Sequence, residues 1–139
     1  MNIQRLRQQL IKHESIELKL YRCTSDKLTI GVGRNIEDGG ITHETAMQML
    51  DEDIDICINE LQQTVSYWDE LPERVQEGLI NLCFNMGIKR LMAFKKTFGF
   101  LRVGMYDKAA TELLDSRYAN QVGQRAIEVA DMIREGAEA

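Results

Sequence analysis

The chain has 139 residues, the size of one ordinary domain and too few for two independent cores plus a linker. Hydrophobic residues make up 44% and charged residues 28%, the balance of a folded globular chain, and one proline excludes a Pro-rich linker class. A formal net charge of −5 argues against a general nucleic-acid binder, and no apolar run approaches the ~20 residues that a membrane helix needs.

The amino terminus, MNIQRLRQQLIKHE, carries charge and glutamine where a signal peptide would carry an apolar run. The expectation is a chain that starts in the compartment where it is made. Ile3, Leu6, Leu10 and His13 recur at helical spacing, which predicts a short amphipathic helix over 2–13. Period two then takes over. Leu18 and Leu20 alternate with charged residues, and Leu28, Ile30 and Val32 alternate with Thr29 and two glycines. The pattern predicts a hairpin pairing 17–22 with 27–33. Asp38-Gly39-Gly40 offers turn chemistry, and Arg34 to Ile41 reads as a short loop.

From Thr42 the pattern is helical. Thr42, Glu44 and Thr45 offer capping groups, and Met47, Leu50, Ile54, Ile58, Leu61 and Val65 predict a helix over 43–63 with acids on its other face. Pro72 at a first helical position starts the next helix, with Val75, Leu79, Leu82 and Met86 inward and Gly87 as its stop. Further helices are expected near 91–102, 106–115 and 123–135. The fold class is α+β with the strands segregated early.

Charge is unevenly spread. Residues 1–34 hold seven Lys/Arg against three acids, residues 37–77 twelve acids against one arginine, and residues 84–125 eight bases against three acids. Such a chain can present a cationic face to a polyanion despite its acidic total. An acidic solvated helix between two ordinary segments explains the middle block equally well. The three cysteines, Cys23, Cys57 and Cys83, show no CxxC spacing. Cys57 and Cys83 lie in apolar helical patterns and read as buried hydrophobes. Cys23 lies in the polar run Arg22 to Lys27, where packing gives it no reason.

Only two histidines are present, with no HExxH and no phosphate-binding glycine loop, so metal and nucleotide chemistry are unsupported. A carboxylate constellation remains. Glu14 ends the first helix beside Leu10, Ile11 and Ile16, where partial burial would raise its pKa and suit it to general acid work. Cys23 and Thr29 follow nine and fifteen residues later, in the hairpin turn and on its returning strand. A helix end followed by a hairpin can bring all three together.

The run Glu14, Cys23, Thr29, then Ile30-Gly31-Val32-Gly33, resembles the catalytic segment of phage-type lysozymes, the T4-lysozyme-like glycoside hydrolase family 24. Ile41-Thr42 through Asp55, Asn81 through Gly87, and Ala109-Ala110, Ser116-Arg117, Asn120-Gln121 and Arg125-Ala126 resemble later segments of that family. The resemblance implies a single two-lobed domain over 1–139: a β lobe at 14–42, an interlobe helix at 43–63, and a helical lobe of 1–13 plus 64–139.

It further implies an endolysin muramidase that cleaves the β-1,4 bond between N-acetylmuramic acid and N-acetylglucosamine in peptidoglycan, with inversion. A lytic transglycosylase using Glu14 alone and a catalytically silent peptidoglycan-binding module are the alternatives. Glu14 matches the general acid and Thr29 the residue that helps hold the attacking water. Cys23 stands where many members have aspartate, and Arg22 and Lys27 are candidates for lowering its pKa. Asp26 is a candidate substitute base. Phe84, Asn85 and Thr97 match sugar-contacting positions, although Phe84 also suits core packing. Arg125 matches an arginine close to the catalytic glutamate. Asn35 stands at a leucine of the family's cleft loop, and Glu112 replaces a polar contact. No cofactor and no metal are implied. The expected partner is bacterial peptidoglycan, not nucleic acid, for a monomer without a transmembrane segment. It would accumulate in the host bacterial cytoplasm and be released to the periplasm and cell wall through a separate holin-type pore.

Overall fold

The computed structural model describes residues 1–138, which fall into two compact units, one over Met1–Gln48 and one from Met49 onward. The first unit opens with α1 (Ile3–Glu14), whose Asn2 side chain accepts a hydrogen bond from the Arg5 amide and caps the helix. α1 stops abruptly because Ser15 takes φ 62° and ψ 174°, a conformation that L residues rarely adopt. That turn sends the chain into β1 (Glu17–Arg22), which pairs antiparallel with β2 (Leu28–Gly31).

The hairpin was legible, but the segment after it is not a loop. Arg34–Asn35 forms β3, a third antiparallel strand with Thr29 opposite Asn35. Ile36–Gly39 then forms the one-turn α2, so the order in the sheet is β1-β2-β3. A two-residue strand and a four-residue helix are too short to show a period. α3 (His43–Thr64) starts where expected, and Thr42 Oγ1 accepts from the Thr45 amide at 3.1 Å.

The second unit is helical: α4 (Glu73–Met86), α5 (Ile88–Leu91), α6 (Lys95–Arg102), α7 (Tyr106–Leu114), α8 (Arg117–Val122) and α9 (Gln124–Glu135). Pro72 caps α4 from outside, so the helix begins one residue later than its sequence signal implied. Gly87 ends α4 at φ 85°. The single helix expected over 91–102 is broken at Met92–Phe94, and α8 is an additional helix that the pattern did not reveal. The core gathers fully buried Val75, Leu79, Leu82, Leu101, Leu113 and Ile133, with small Ala109, Ala110 and Ala130. Those alanines let helices approach closely, and α7 and α4 both pack along α9. Cys57 and Cys83 are buried in this cluster, as their apolar surroundings implied.

Leu79 is 0% exposed at the centre of α4, so Leu79→Ala leaves a cavity. The expected cost is about 2–5 kcal/mol in chemical denaturation, with an unchanged m-value.

Candidate functional site

Four of the sequence-derived site residues, Glu14, Cys23, Thr29 and Asn35, belong to the first unit. Glu14 is the last residue of α1, and its carboxylate lies against Gly33. A Cβ built on Gly33 would stand 2.9 Å from Glu14 Oε2 and 3.1 Å from Cδ. Gly33 also has φ 68°, so both the backbone and the close approach demand glycine. Glu14 and Gly33 share the lining of an apolar groove of about 570 Å³ with Leu6, Leu10, Ile11 and Val32. The burial expected for Glu14 is absent. Its side chain is exposed, because Leu10 and Ile16, which were to cover it, are themselves 45% and 54% exposed.

Cys23 opens the turn that joins β1 to β2. Its amide donates to Lys27 O at 3.0 Å, and Asp26, at φ 59°, donates its amide to Cys23 O at 2.8 Å. This tight turn aims backbone donors at the sulfur. The thiol is held below its ordinary value, first by the Lys27 backbone N–H, then by the Ser25 N–H, then by the Thr29 hydroxyl. Lys27 therefore acts through its amide and not through its ammonium. That ammonium is 3.4 Å from Asp38 Oδ1 and 3.6 Å from Glu37 Oε2. The Arg22 guanidinium is likewise paired, with Asp26 at 3.7 Å and Glu37 at 3.8 Å. The expectation that these two cations lower the Cys23 pKa is corrected. Asp26, with its side chain 85% exposed and paired to Arg22, is turned to the ion pairs.

Thr29 is 3% exposed on the central strand. Its hydroxyl donates to Lys27 O at 2.9 Å, on the strand that returns from the turn of Cys23. Asn35, opposite Thr29 in the sheet, is committed to α2. Its Oδ1 accepts from the Asp38 amide at 3.1 Å, and its Nδ2 donates to Asp38 Oδ2 at 2.9 Å.

The remaining sequence-derived residues belong to the second unit. Phe84 is 47% exposed, which removes the core-packing reading, and it lines a cavity of about 330 Å³ with Arg125, Glu77, Asn81 and Ile80. Asn85 Oδ1 accepts from Tyr118 Oη at 2.7 Å, which fixes the amide's orientation. Thr97 is only 4% exposed in the first turn of α6. Sequence reasoning missed two supports: Ser15, whose backbone aims α1's end, and Tyr118, whose hydroxyl has no local signature. Among the described residues no group of His, Cys, Asp and Glu is arranged to hold a metal ion.

Two outcomes are expected. Gly33→Ala should lose about 1–2 kcal/mol from the left-handed backbone alone, and Glu14 must swing off its perch, so denaturation and catalytic assays should both register the change. Alkylation by iodoacetamide in the native state should mark Cys23 alone, since burial and the neighbouring Cys57 thiol push the Cys83 thiol up. The Cys23 rate should rise with pH to a midpoint below that of an ordinary free cysteine, and Thr29→Val should move that midpoint upward.

Comparison with known proteins adds the family. Residues 11–132, which contain all the candidate residues above, match the family model described as phage lysozyme. The chain is also 22% identical, over 160 aligned positions covering 94% of each chain, to a probable T4-type lysozyme 2 of Dictyostelium discoideum. Glu14, Cys23 and Thr29 thus sit within a match that spans nearly the whole sequence, and the chain belongs to the phage lysozyme family.

Proposed function

We propose that the protein is a muramidase of the glycoside hydrolase family 24 type, with Cys23 in place of the usual aspartate. It would hydrolyse the β-1,4 bond between N-acetylmuramic acid and N-acetylglucosamine in peptidoglycan. The observation that carries this reading is the phage lysozyme match over residues 11–132, which takes in Glu14, Cys23 and Thr29, with Glu14 seated against Gly33. The turn around Cys23 lowers its pKa, first through the Lys27 amide, and so favours the thiolate. A thiolate restores the anion that a two-carboxylate glycosidase needs.

In this reading Glu14 enters protonated and gives its proton to the glycosidic oxygen as the bond to the sugar carbon breaks. Positive charge develops on that carbon. A water molecule held near Thr29 attacks the carbon from the opposite face. Its proton passes to the Cys23 thiolate, leaving a new hemiacetal hydroxyl of inverted configuration. Glu14 leaves the cycle ionised and Cys23 protonated, and one proton exchanged through solvent resets both. Phe84, Asn85 and Arg125 contribute to sugar binding, whereas Thr97, expected as a sugar contact, is buried in α6 and supports the fold instead. Asn35 acts indirectly by holding α2 against the sheet. The cellular setting we propose is an endolysin, accumulating in the host cytoplasm and reaching the wall through a holin-type pore.

Clearing of outer-membrane-permeabilised Gram-negative cells tests the reading. Glu14→Gln should retain the fold and lose at least about 99% of the rate, as loss of a general acid worth 10²–10⁴-fold requires. Cys23→Ser should fall by a similar order, whereas Cys23→Asp should match or exceed the wild type. Serine as effective as cysteine would remove the thiol from the chemistry. Mass spectrometry of the products should show hydrolysed reducing ends; 1,6-anhydro ends would replace the hydrolase with a transglycosylase. Clearing by neither wild type nor Cys23→Asp would leave a binding module.

A further inference from the structure

From Ile88 to Tyr106 the chain carries five Lys/Arg residues and no carboxylate. None of these five cations is in an ion pair among the described residues, since the pairs there involve Arg22, Lys27, Arg74 and Arg134. Two of them, Lys95 and Arg102, are the first and last residues of α6 and, seven apart, share one face of it. Gly99, between them, keeps that face bare of side chain. The opposite wall of the groove, which holds about 310 Å³, comes from Thr64 at the end of α3 and from Ser66 and Tyr67 beyond it.

The groove is more than two surface cations. Tyr67 Oη donates to Phe98 O at 3.0 Å, which fixes the ring, and the Arg102 guanidinium carbon sits 5.5 Å from that ring's centroid. Arg102 is therefore pre-positioned by a cation–π contact, and its N–H groups remain free to bind. Thr64 and Ser66 add two exposed hydroxyls, and among the described residues neither has a side-chain hydrogen-bond partner and no carboxylate lines the groove. The carboxyl end of α3 opposes an anion with roughly half an elementary charge. Two full cations outweigh it.

We propose that this groove is a binding site for a phosphate group, with Lys95 and Arg102 neutralising it and Thr64 and Ser66 donating to its oxygens. A phosphate monoester carries close to two negative charges and three acceptor oxygens, which matches two cations flanked by hydroxyls. A carboxylate would use one charge and two oxygens and leave donors idle. Val65, Met92 and Phe98 supply an apolar floor on which the esterified group can lie. The site uses none of the residues assigned to glycoside hydrolysis and does not rest on that reading.

The test is a titration of inorganic phosphate into ¹⁵N-labelled full-length protein at constant ionic strength, read by amide shifts. Saturable shifts should centre on Ser66, Tyr67, Lys95 and Gly99. The double variant Lys95→Ala/Arg102→Ala should bind about tenfold more weakly or not at all. A charge-matched control, Lys89→Ala/Arg90→Ala, should stay within about twofold of the wild type. Lys95→Ala alone removes an exposed side chain and provides a weakened variant whose fold is not at issue. No saturable shift, or equal weakening by the two double variants, would overturn the proposal. Co-sedimentation with phosphatidylglycerol–phosphatidylcholine vesicles identifies the source. Retention that Lys95→Ala/Arg102→Ala abolishes assigns a lipid headgroup, and phosphate binding without retention assigns a soluble phosphorylated ligand. Retention that survives in that double variant would overturn the lipid assignment and, if its phosphate binding is also intact, the site.

Discussion

Everything in the first unit depends on a backbone conformation that most residues avoid. Within nineteen residues, Ser15, Asp26, Gly31 and Gly33 all take positive φ, at 62°, 59°, 72° and 68°. Each is a place where the chain must turn more sharply than an ordinary extended or helical residue allows. Ser15 ends α1 directly after Glu14, Asp26 closes the turn beneath Cys23, and the two glycines reverse the chain between β2 and β3. Two of the four are not glycine, and Ser15 lies in a region that glycine alone occupies readily. The local cost, of order 1–3 kcal/mol for such a residue, must be offset by the surrounding structure. Here the Ser15 amide bonds to Ile11 O at 2.8 Å and its hydroxyl reaches Glu17 at 3.3 Å. The strain sits beside the carboxylate that it aims.

The same economy governs the charge at Cys23. A cation beside the sulfur would be the obvious way to favour a thiolate, and two are at hand in sequence. Both are instead engaged by Asp26, Glu37 and Asp38, in a surface network that ties the hairpin turn to α2. Such exposed pairs are worth little individually and weaken with salt. Backbone amides fixed by the turn are different. They cannot swing away, they need no counter-charge, and ionic strength screens them less than it screens mobile lysines. A thiol tuned in this way keeps its properties as long as the turn keeps its shape.

The parts of this architecture that repeat were legible in the sequence, and the parts that do not repeat were hidden. α1, the hairpin, α3 and α4 each bury or present a stripe long enough to set a period. β3 and α2 have no room for one. The break between α5 and α6 was hidden for a subtler reason: Leu91, Phe98 and Leu101 keep helical spacing across it, so one continuous helix and two short ones bury the same residues. α8 left a trace that a capping search could have caught, Ser116 accepting from the Ala119 amide at 3.2 Å and Gly123 ending the helix at φ 57°. For the site, the spacing of Glu14, Cys23 and Thr29 was legible, but the sources of their environment were not. The apolar neighbours of Glu14 in sequence do not cover it in space, and the two largest influences that lower the Cys23 pKa are main-chain groups that any residue would supply.

Thr29 is where these constraints meet. Its hydroxyl is buried on the central strand, where an unpaired polar group would cost about 1–3 kcal/mol, so it must always hold a partner. Lys27 O is that partner, at 2.9 Å. The same carbonyl also accepts from the Cys23 amide at 3.0 Å, so the buried hydroxyl and the residue that carries the thiol hang on one main-chain oxygen. Any change that moves Lys27 O therefore disturbs Thr29 and the turn of Cys23 together. An aspartate at position 23 would be ionised throughout the neutral range. Cysteine makes the charge at that place conditional on its own titration, and the turn that fixes the Cys23 backbone is also the turn that lowers its pKa.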